Sequence, residues 1–444
     1  MIKITAIGGY QEVGKNCTSV EVDGTIILFD LGLHLENYIK YTQDDEENIV
    51  KMSSKALMKA GAIPDISQVD KKKVKAIVST HAHLDHIGAI PYLSNKFDAD
   101  ILGTPFTCAV LKTILKDENI SLKNPIKALN VNSVYQLTKD IKIEFINMTH
   151  STPQTVMIAL HTKYGIFVYA NDFKLDSNPV LGKKANVERL KELGDTGNVV
   201  GLICDSLYAQ DSRKTPSESV AKEMLRDVLL GTDSDDKLII ATTFASHLAR
   251  LKSIVEIGQK MNRRMIFLGR SLSKYITAGE DIGIIKFSDK AELVKYGNSI
   301  RKKLKKIKAK DRGKYMLIVT GHQGEPKAVL SRIVDKAIDF DLRSEDHVIF
   351  SCKTIPTKTN IEQRAFLEKK LRERGVRVFK DIHVSGHAGR EDLRDLLHIL
   401  KPKNVFPAHG NLEMMQGLED LALEMGYDKK NIILFKNKKI VKIK

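Results

Sequence analysis

The sequence predicts an α/β protein in which a parallel α/β region is inserted into a larger, strand-rich domain. Three observations predict it. The first 205 residues are dominated by short β-branched or alternating runs. From about Ser206 long helical patterns alternate with short apolar strands. After about Pro356 a helix is followed by further strands. The expected division is a first domain in two parts, residues 1–205 and 356–444, with residues 206–355 between them.

Each element follows from its pattern. TSVEV, TIILFDL, KAIVST, IKIEFINM, QTVMIAL and GIFVYA read as strands because they alternate or are β-branched and turn residues separate them. SESVAKEMLRDVLL and SHLARLKSIVEIGQKM carry helical periodicity, and between such helices lie the strands KLIIATTF, RMIFLG, YMLIVTG and HVIFSC. Helix–strand alternation of this kind builds a parallel sheet covered by helices. NIEQRAFLEKKLRERG is a helix, and NIILFKN and KKIVKIK are closing strands. No internal repeat or low-complexity linker interrupts the chain.

Composition narrows the functional classes. With 444 residues the chain is long enough for two or three domains, and no apolar run approaches the roughly 18 residues of a spanning helix. The start, MIKITAIGGY, lacks a signal peptide's apolar core, so no membrane and a cytoplasmic location are expected. Cys17, Cys108, Cys204 and Cys352 are dispersed and form no CxxC pair, which argues against a disulfide framework or a cysteine zinc site. The formal charge of +16 fits a polyanionic partner as well as it fits an ordinary basic protein.

The stretch STHAHLDHIGAIPYL carries the chemistry. His81, His83, Asp85 and His86 fall on the loop between the strand KAIVST and a helix beginning near Ile87. His81 and His83 can reach one ion while Asp85 and His86 reach a second, and imidazole with carboxylate suits zinc or a similar divalent metal. Such a site needs more ligands. His150, Asp172 and His409 each follow an apolar strand and are candidates; Asp30, in ILFDLG, is a ligand or a carboxylate that orients a ligand histidine.

FDLG, HAHLDH, His150 and Asp172 resemble the successive motifs of the metallo-β-lactamase fold. CDSLYA, HVSGHAG and FPAHG resemble its β-CASP branch, which acts on nucleic acids, and TGHQGEP with HVSGHAG resembles the RNase J family. The resemblance covers nearly the whole chain. It implies an αββα sandwich with an inserted parallel α/β β-CASP domain. It further implies that His81, His83 and His150 bind one zinc, that Asp85, His86 and His409 bind another, and that Asp172 bridges them. His387 would be the general acid, oriented by Asp205, and Asp85 would belong to the catalytic group. His383, Ser385 and Gly386 would lie near a phosphate of the RNA. Bacterial members carry a further C-terminal domain, whereas this sequence stops soon after His409 and so is more similar to the archaeal type. TIPTKTN also departs from the bacterial pattern.

The expected activity is metal-dependent degradation of single-stranded RNA from 5′ to 3′, with a preference for a 5′-monophosphate. Two Zn2+ per chain are expected, with Mn2+ or Mg2+ as alternatives. Single-stranded RNA is the expected partner, and a homodimer is left open. The rival expectations are an endoribonuclease resembling the cleavage and polyadenylation factor and an RNA-binding protein without catalysis. The complete ligand set speaks against the second rival. The run RKKLKKIKAK, residues 301–310, reads equally well as an RNA-tracking surface or as a solvated helix face.

Overall fold

The computed structural model describes residues 1–43, 53–355 and 357–443; Pro356, where the sequence reading returns to the first domain, lies outside the described residues. The chain divides into two compact units. One comprises Met1–Ser177, Lys183–Thr215 and Gly386–Lys444, and the other Asn178–Gly182 and Pro216–Ser385.

Among the described residues, the first unit has a seven-stranded and a six-stranded sheet. Edge to edge, the seven strands are Ile440–Ile443, Ile2–Gly8, Cys17–Val22, Thr25–Phe29, Val74–Val78, Asp100–Gly103 and Ile126–Ala128. The six are Val405–Ala408, Val199–Asp205, Gly165–Ala170, Val156–Thr162, Ile141–Asn147 and Ser133–Thr138. Each sheet is parallel towards one edge and antiparallel towards the other.

Strand alternation sends one set of side chains between the sheets, so Ile4, Val20, Ile27 and Val78 share a core with Phe145, Ile158, Phe167 and Ile203. The opposite set on the second sheet, including Ile146, Val168 and Leu202, buries against helices Val187–Asp195, Arg390–Leu400 and Leu412–Glu424 through Leu190, Leu393 and Leu418. The first sheet adjoins Pro105–Asp117, which buries Phe106, Val110, Leu111 and Leu115. The layers are therefore helix, sheet, sheet, helix, the expected αββα sandwich.

The second unit is built on six parallel strands, in the order Ala291–Val294, Arg264–Leu268, Tyr315–Val319, Ile239–Thr242, His347–Phe350 and Arg377–Phe379. Helices cover both faces of such a sheet, which is why its inner strands read as unbroken apolar runs. Arg377–Phe379 pairs with His347–Phe350, and Leu367 and Leu371 of helix Lys358–Glu373 join this unit's core. The sequence reading ends the inserted region at 355. The chain stays with this unit through Ser385 because that helix and strand extend the same sheet.

In the first unit, the strands preceding Asp30, Ser79, His150, Asp172 and His409 all run in one direction within their sheets, so their C-terminal ends gather at one edge. Asp30, Asp172 and His409 adopt left-handed backbone there, with φ of 57°, 54° and 52°. For a residue with a Cβ this costs roughly 1 kcal/mol or more, and such strain concentrates at functional sites.

Candidate metal centre

The chain leaves strand Val74–Val78, passes through His81 and enters the short helix Leu84–Ile87, with His83 at the N-cap in extended conformation. This turn faces His81 and His83 inward and carries Asp85 and His86 on the first helical turn. A buried scaffold fixes it. Thr80 donates to Asp30 from its amide at 2.8 Å and from its hydroxyl at 3.0 Å.

The outer hydrogen bonds of the rings set their tautomers. His81 Nδ1 lies 3.0 Å from Thr80 Oγ1, whose proton goes to Asp30, so the imidazole donates and Nε2 keeps its lone pair. His150 Nδ1 donates to the Gly386 carbonyl at 2.7 Å, His86 Nδ1 to Asp30 Oδ2 at 2.8 Å, and His409 Nδ1 to Asn16 Oδ1 at 2.9 Å. Four Nε2 atoms are thereby presented inward. His83 instead turns Nδ1 inward, 3.0 Å from His81 Nε2 and 3.1 Å from His150 Nε2.

Two groups result. In the first, Asp172 Oδ2 stands 3.5 Å from His81 Nε2 and 3.6 Å from His150 Nε2. In the second, Asp172 Oδ1 is 3.3 Å from His86 Nε2 and 3.7 Å from His409 Nε2, while Asp85 Oδ2 is 3.5 Å and 3.9 Å from the same two nitrogens. Donor atoms about 2.0–2.1 Å from a tetrahedral ion stand roughly 3.3 Å apart, so both groups have the spacing of a ligand set. His81, His83, His150 and Asp172 form one such cluster and Asp85, His86, Asp172 and His409 the other. Asp172 Oδ1 is buried with no hydrogen bond aligned on it among the described residues. Converging acceptors and an orphaned carboxylate oxygen are costly without a cation between them. The residues fit divalent metal.

Electrostatics divide the rings. Burial, and then the facing imidazoles, hold the pKa of His81 and His150 well below the usual histidine value; burial brings His83 down to about 4. These rings are neutral and ready to ligate. Burial also opposes charge on His86, but Asp172, Asp30 and Asp85 together hold its pKa well above the usual value.

A third cluster adjoins these. His387 Nδ1 lies 2.7 Å from Asp205 Oδ2, and its Nε2 is 3.9 Å from Asp172 Oδ2. Burial works against charge on His387, but Asp205 and Asp172 raise its pKa to about 9, so it holds a proton at neutral pH.

Comparison with known proteins places this geometry. Residues 10–215 match the metallo-beta-lactamase superfamily, 236–365 the ribonuclease J beta-CASP domain, and 367–434 the Zn-dependent metallo-hydrolase RNA specificity domain. The chain is 43% identical to ribonuclease J of Pyrococcus abyssi, over 100% of this chain and 97% of that protein. It is 42% identical to ribonuclease J of Methanocaldococcus jannaschii, over 96% and 95%. The chain belongs to the ribonuclease J family. A bacterial member, ribonuclease J 1 of Streptococcus pyogenes, is 33% identical over 98% of this chain and 73% of its own length. A crystal structure of a protein of unknown function from Enterococcus faecalis V583 shares the fold, with TM-score 0.67, 16% identity and 99% coverage of both chains.

Within this ribonuclease J fold the seven residues expected as ligands come together, with Asp30 bonded behind His86 and Asp205 behind His387. His383 and Ser385 belong to the second unit, whereas Gly386 opens the last segment of the first. Gly386 has a contact the sequence did not suggest, since its carbonyl orients His150. A Cβ there would stand 2.2 Å from Ser151 Oγ and 3.1 Å from the His150 ring. Sequence reasoning also missed Thr80 and Asn16. Besides accepting from His409, Asn16 places its Nδ2 3.2 Å from the Asp85 carbonyl and 3.0 Å from His86 Nε2. Its setting, GYQEVGKNCT, offers no ligand-like pattern.

Proposed function

We propose that this chain is a metal-dependent ribonuclease that degrades single-stranded RNA from 5′ to 3′, using two zinc ions and preferring a 5′-monophosphate end. The observation that carries the reading is the Asp172 carboxylate, which turns one oxygen to each of two histidine-rich groups. Divalent ions held there would acidify a water and offset charge on a phosphodiester as it is cut.

The chain's own residues supply the rest. Asp172 fixes the separation of the two groups, with His81, His83 and His150 on one side and Asp85, His86 and His409 on the other. Asp30 and Thr80 lock the ring orientations of His86 and His81. Asp205 holds the His387 ring from Nδ1, so Nε2 is the atom that gives a proton to the leaving oxygen. His383, Ser385 and Gly386 supply hydroxyl, ring and backbone donors to a phosphate of the RNA. A triphosphate adds bulk and charge to such a pocket, and a 5′-hydroxyl leaves its donors unmatched.

Four dispersed, unpaired cysteines support a reducing, cytoplasmic setting; among the described residues no helix is long and apolar enough to cross a membrane.

The test compares end-labelled RNAs carrying a 5′-monophosphate, a 5′-triphosphate or a 5′-hydroxyl with a circular RNA. Processive loss from the monophosphorylated 5′ end, slower attack on the other two and sparing of the circle are expected. Equal rates on linear and circular RNA would replace this reading with an endoribonuclease resembling the cleavage and polyadenylation factor.

A further inference from the structure

In the second unit, helix Gly297–Lys305 and the segment after it form an unusually one-sided surface. Residues 301–310 hold seven cations and no carboxylate. Ile300, Leu304 and Ile307 are buried in the unit's apolar core, which fixes the segment's inner face. Arg301, Lys302, Lys306, Lys308 and Lys310 are all exposed on the other side. Lys303 pairs with Glu292 and Lys305 with Asp339, but among the described residues no carboxylate forms an ion pair with those five.

Two ordinary explanations fall short. Cations in a helix's last turn and at its C-cap are stabilised by the helix dipole, yet Lys308 and Lys310 lie beyond the C-cap, where that effect is spent. Like charges three and four residues apart are mutually destabilising, so the run opposes local folding instead of assisting it. An independent feature adjoins it. Tyr296, at the N-cap of this helix, is 59% exposed, with Lys295 Nζ 5.3 Å from its ring centroid. An exposed aromatic ring at the start of a helix that ends in a track of cations matches what single-stranded nucleic acid requires: stacking for a base and counter-charge for the backbone.

We propose that Tyr296 and the 301–310 track form an RNA-binding surface that grips the strand independently of its end. The inference rests on the ribonuclease reading for its substrate class, but it concerns binding and not chemistry. The test is fluorescence anisotropy with a single-stranded RNA circle, which has no end to be degraded, over a range of salt concentrations. The variants are K302Q/K306Q/K308Q/K310Q and Tyr296→Ala. The lysine variant should bind about tenfold or more weakly at low salt, and its salt slope should fall by up to about 3, since each contact to a single strand contributes about 0.7. Tyr296→Ala should weaken binding about fivefold or more. Turnover of a short 5′-phosphorylated oligonucleotide should be unchanged in both. Unchanged affinity and slope in the lysine variant would overturn the proposal. So would a loss confined to the lysines, which would leave a patch for any polyanion, or equal retention on phosphatidylglycerol vesicles. Cleavage of the circle would instead remove the 5′-end reading, and the binding comparison would still decide this one.

Discussion

The two units each bury a dense polar assembly, and the two are built on opposite principles. In the second unit Arg250, fully buried, gives Nε and Nη2 to Glu218 at 2.5 and 2.9 Å. Its Nη1 serves the Ser351 carbonyl and hydroxyl at 2.8 and 2.9 Å and the Ile382 carbonyl at 3.2 Å. Donors face acceptors, and the charges cancel in a two-point pair. In the first unit ring nitrogens face ring nitrogens: Nε2 of His81 and His150 converge on His83 Nδ1, and among the described residues no hydrogen bond is aligned on Asp172 Oδ1. Strained backbone at Asp30, Asp172 and His409 surrounds it. A satisfied network contributes to stability and completes itself. One whose ring nitrogens and carboxylate oxygens converge on a common point has the donor set of a cation site, and this contrast separates a structural polar core from a candidate site.

The sharpest break in that contrast is Asp172→Ala, which removes the carboxylate both groups share. Elemental analysis of the parent should give about two zinc ions per chain. The variant should lose most of this metal and at least about 10³-fold in turnover, the loss of several kcal/mol of charge stabilisation. Full metal content in the variant would end the two-group reading. Next in size is His387→Ala, which takes away the proposed proton donor but no proposed ligand. Turnover should fall by about 10²–10⁴ while metal content stays at the parent's level. Metal loss would move His387 into the ligand set.

The satisfied network should answer differently. Arg250→Met strands a buried carboxylate and should cost about 3–5 kcal/mol in chemical denaturation, with metal content unchanged. Its smallest signature is in acid. Burial alone would raise the pKa of Glu218, but His247 and Arg250 hold it well below the usual value. A lowered folded pKa gives stability that is present above the unfolded value, about 4.3, and lost as pH falls below it. Glu218→Gln should therefore flatten the acid limb of a stability–pH curve; an unchanged limb would show that the pair contributes nothing there.

How much of this could be read from the sequence depended on the kind of contact. His81, His83, Asp85 and His86 were legible because a short ligand-rich loop leaves a local pattern, and His150, Asp172 and His409 because each follows an apolar strand. Asn16 and Thr80 were not, because an amide or hydroxyl that orients a ring has no characteristic spacing, and Asn16 reaches His409 across 393 residues. The Gly386 carbonyl was invisible for a stronger reason: backbone groups are the same in every residue. The inserted unit was legible in its helix–strand rhythm. Its far edge was not, because Arg377–Phe379 is only three residues long and partly exposed, too short to show a period.

The order of the chain has a consequence for its own synthesis. His387 and His409 belong to the first unit but follow the second in sequence. A nascent chain therefore completes more than 380 residues before either His387, the proposed proton donor, or His409, a proposed ligand, is made. Strand Val405–Ala408, which delivers His409, is added at the sheet's edge and so can dock without prying open strands already paired. The candidate centre therefore cannot close until the inserted unit and the segment through His409 have both been made.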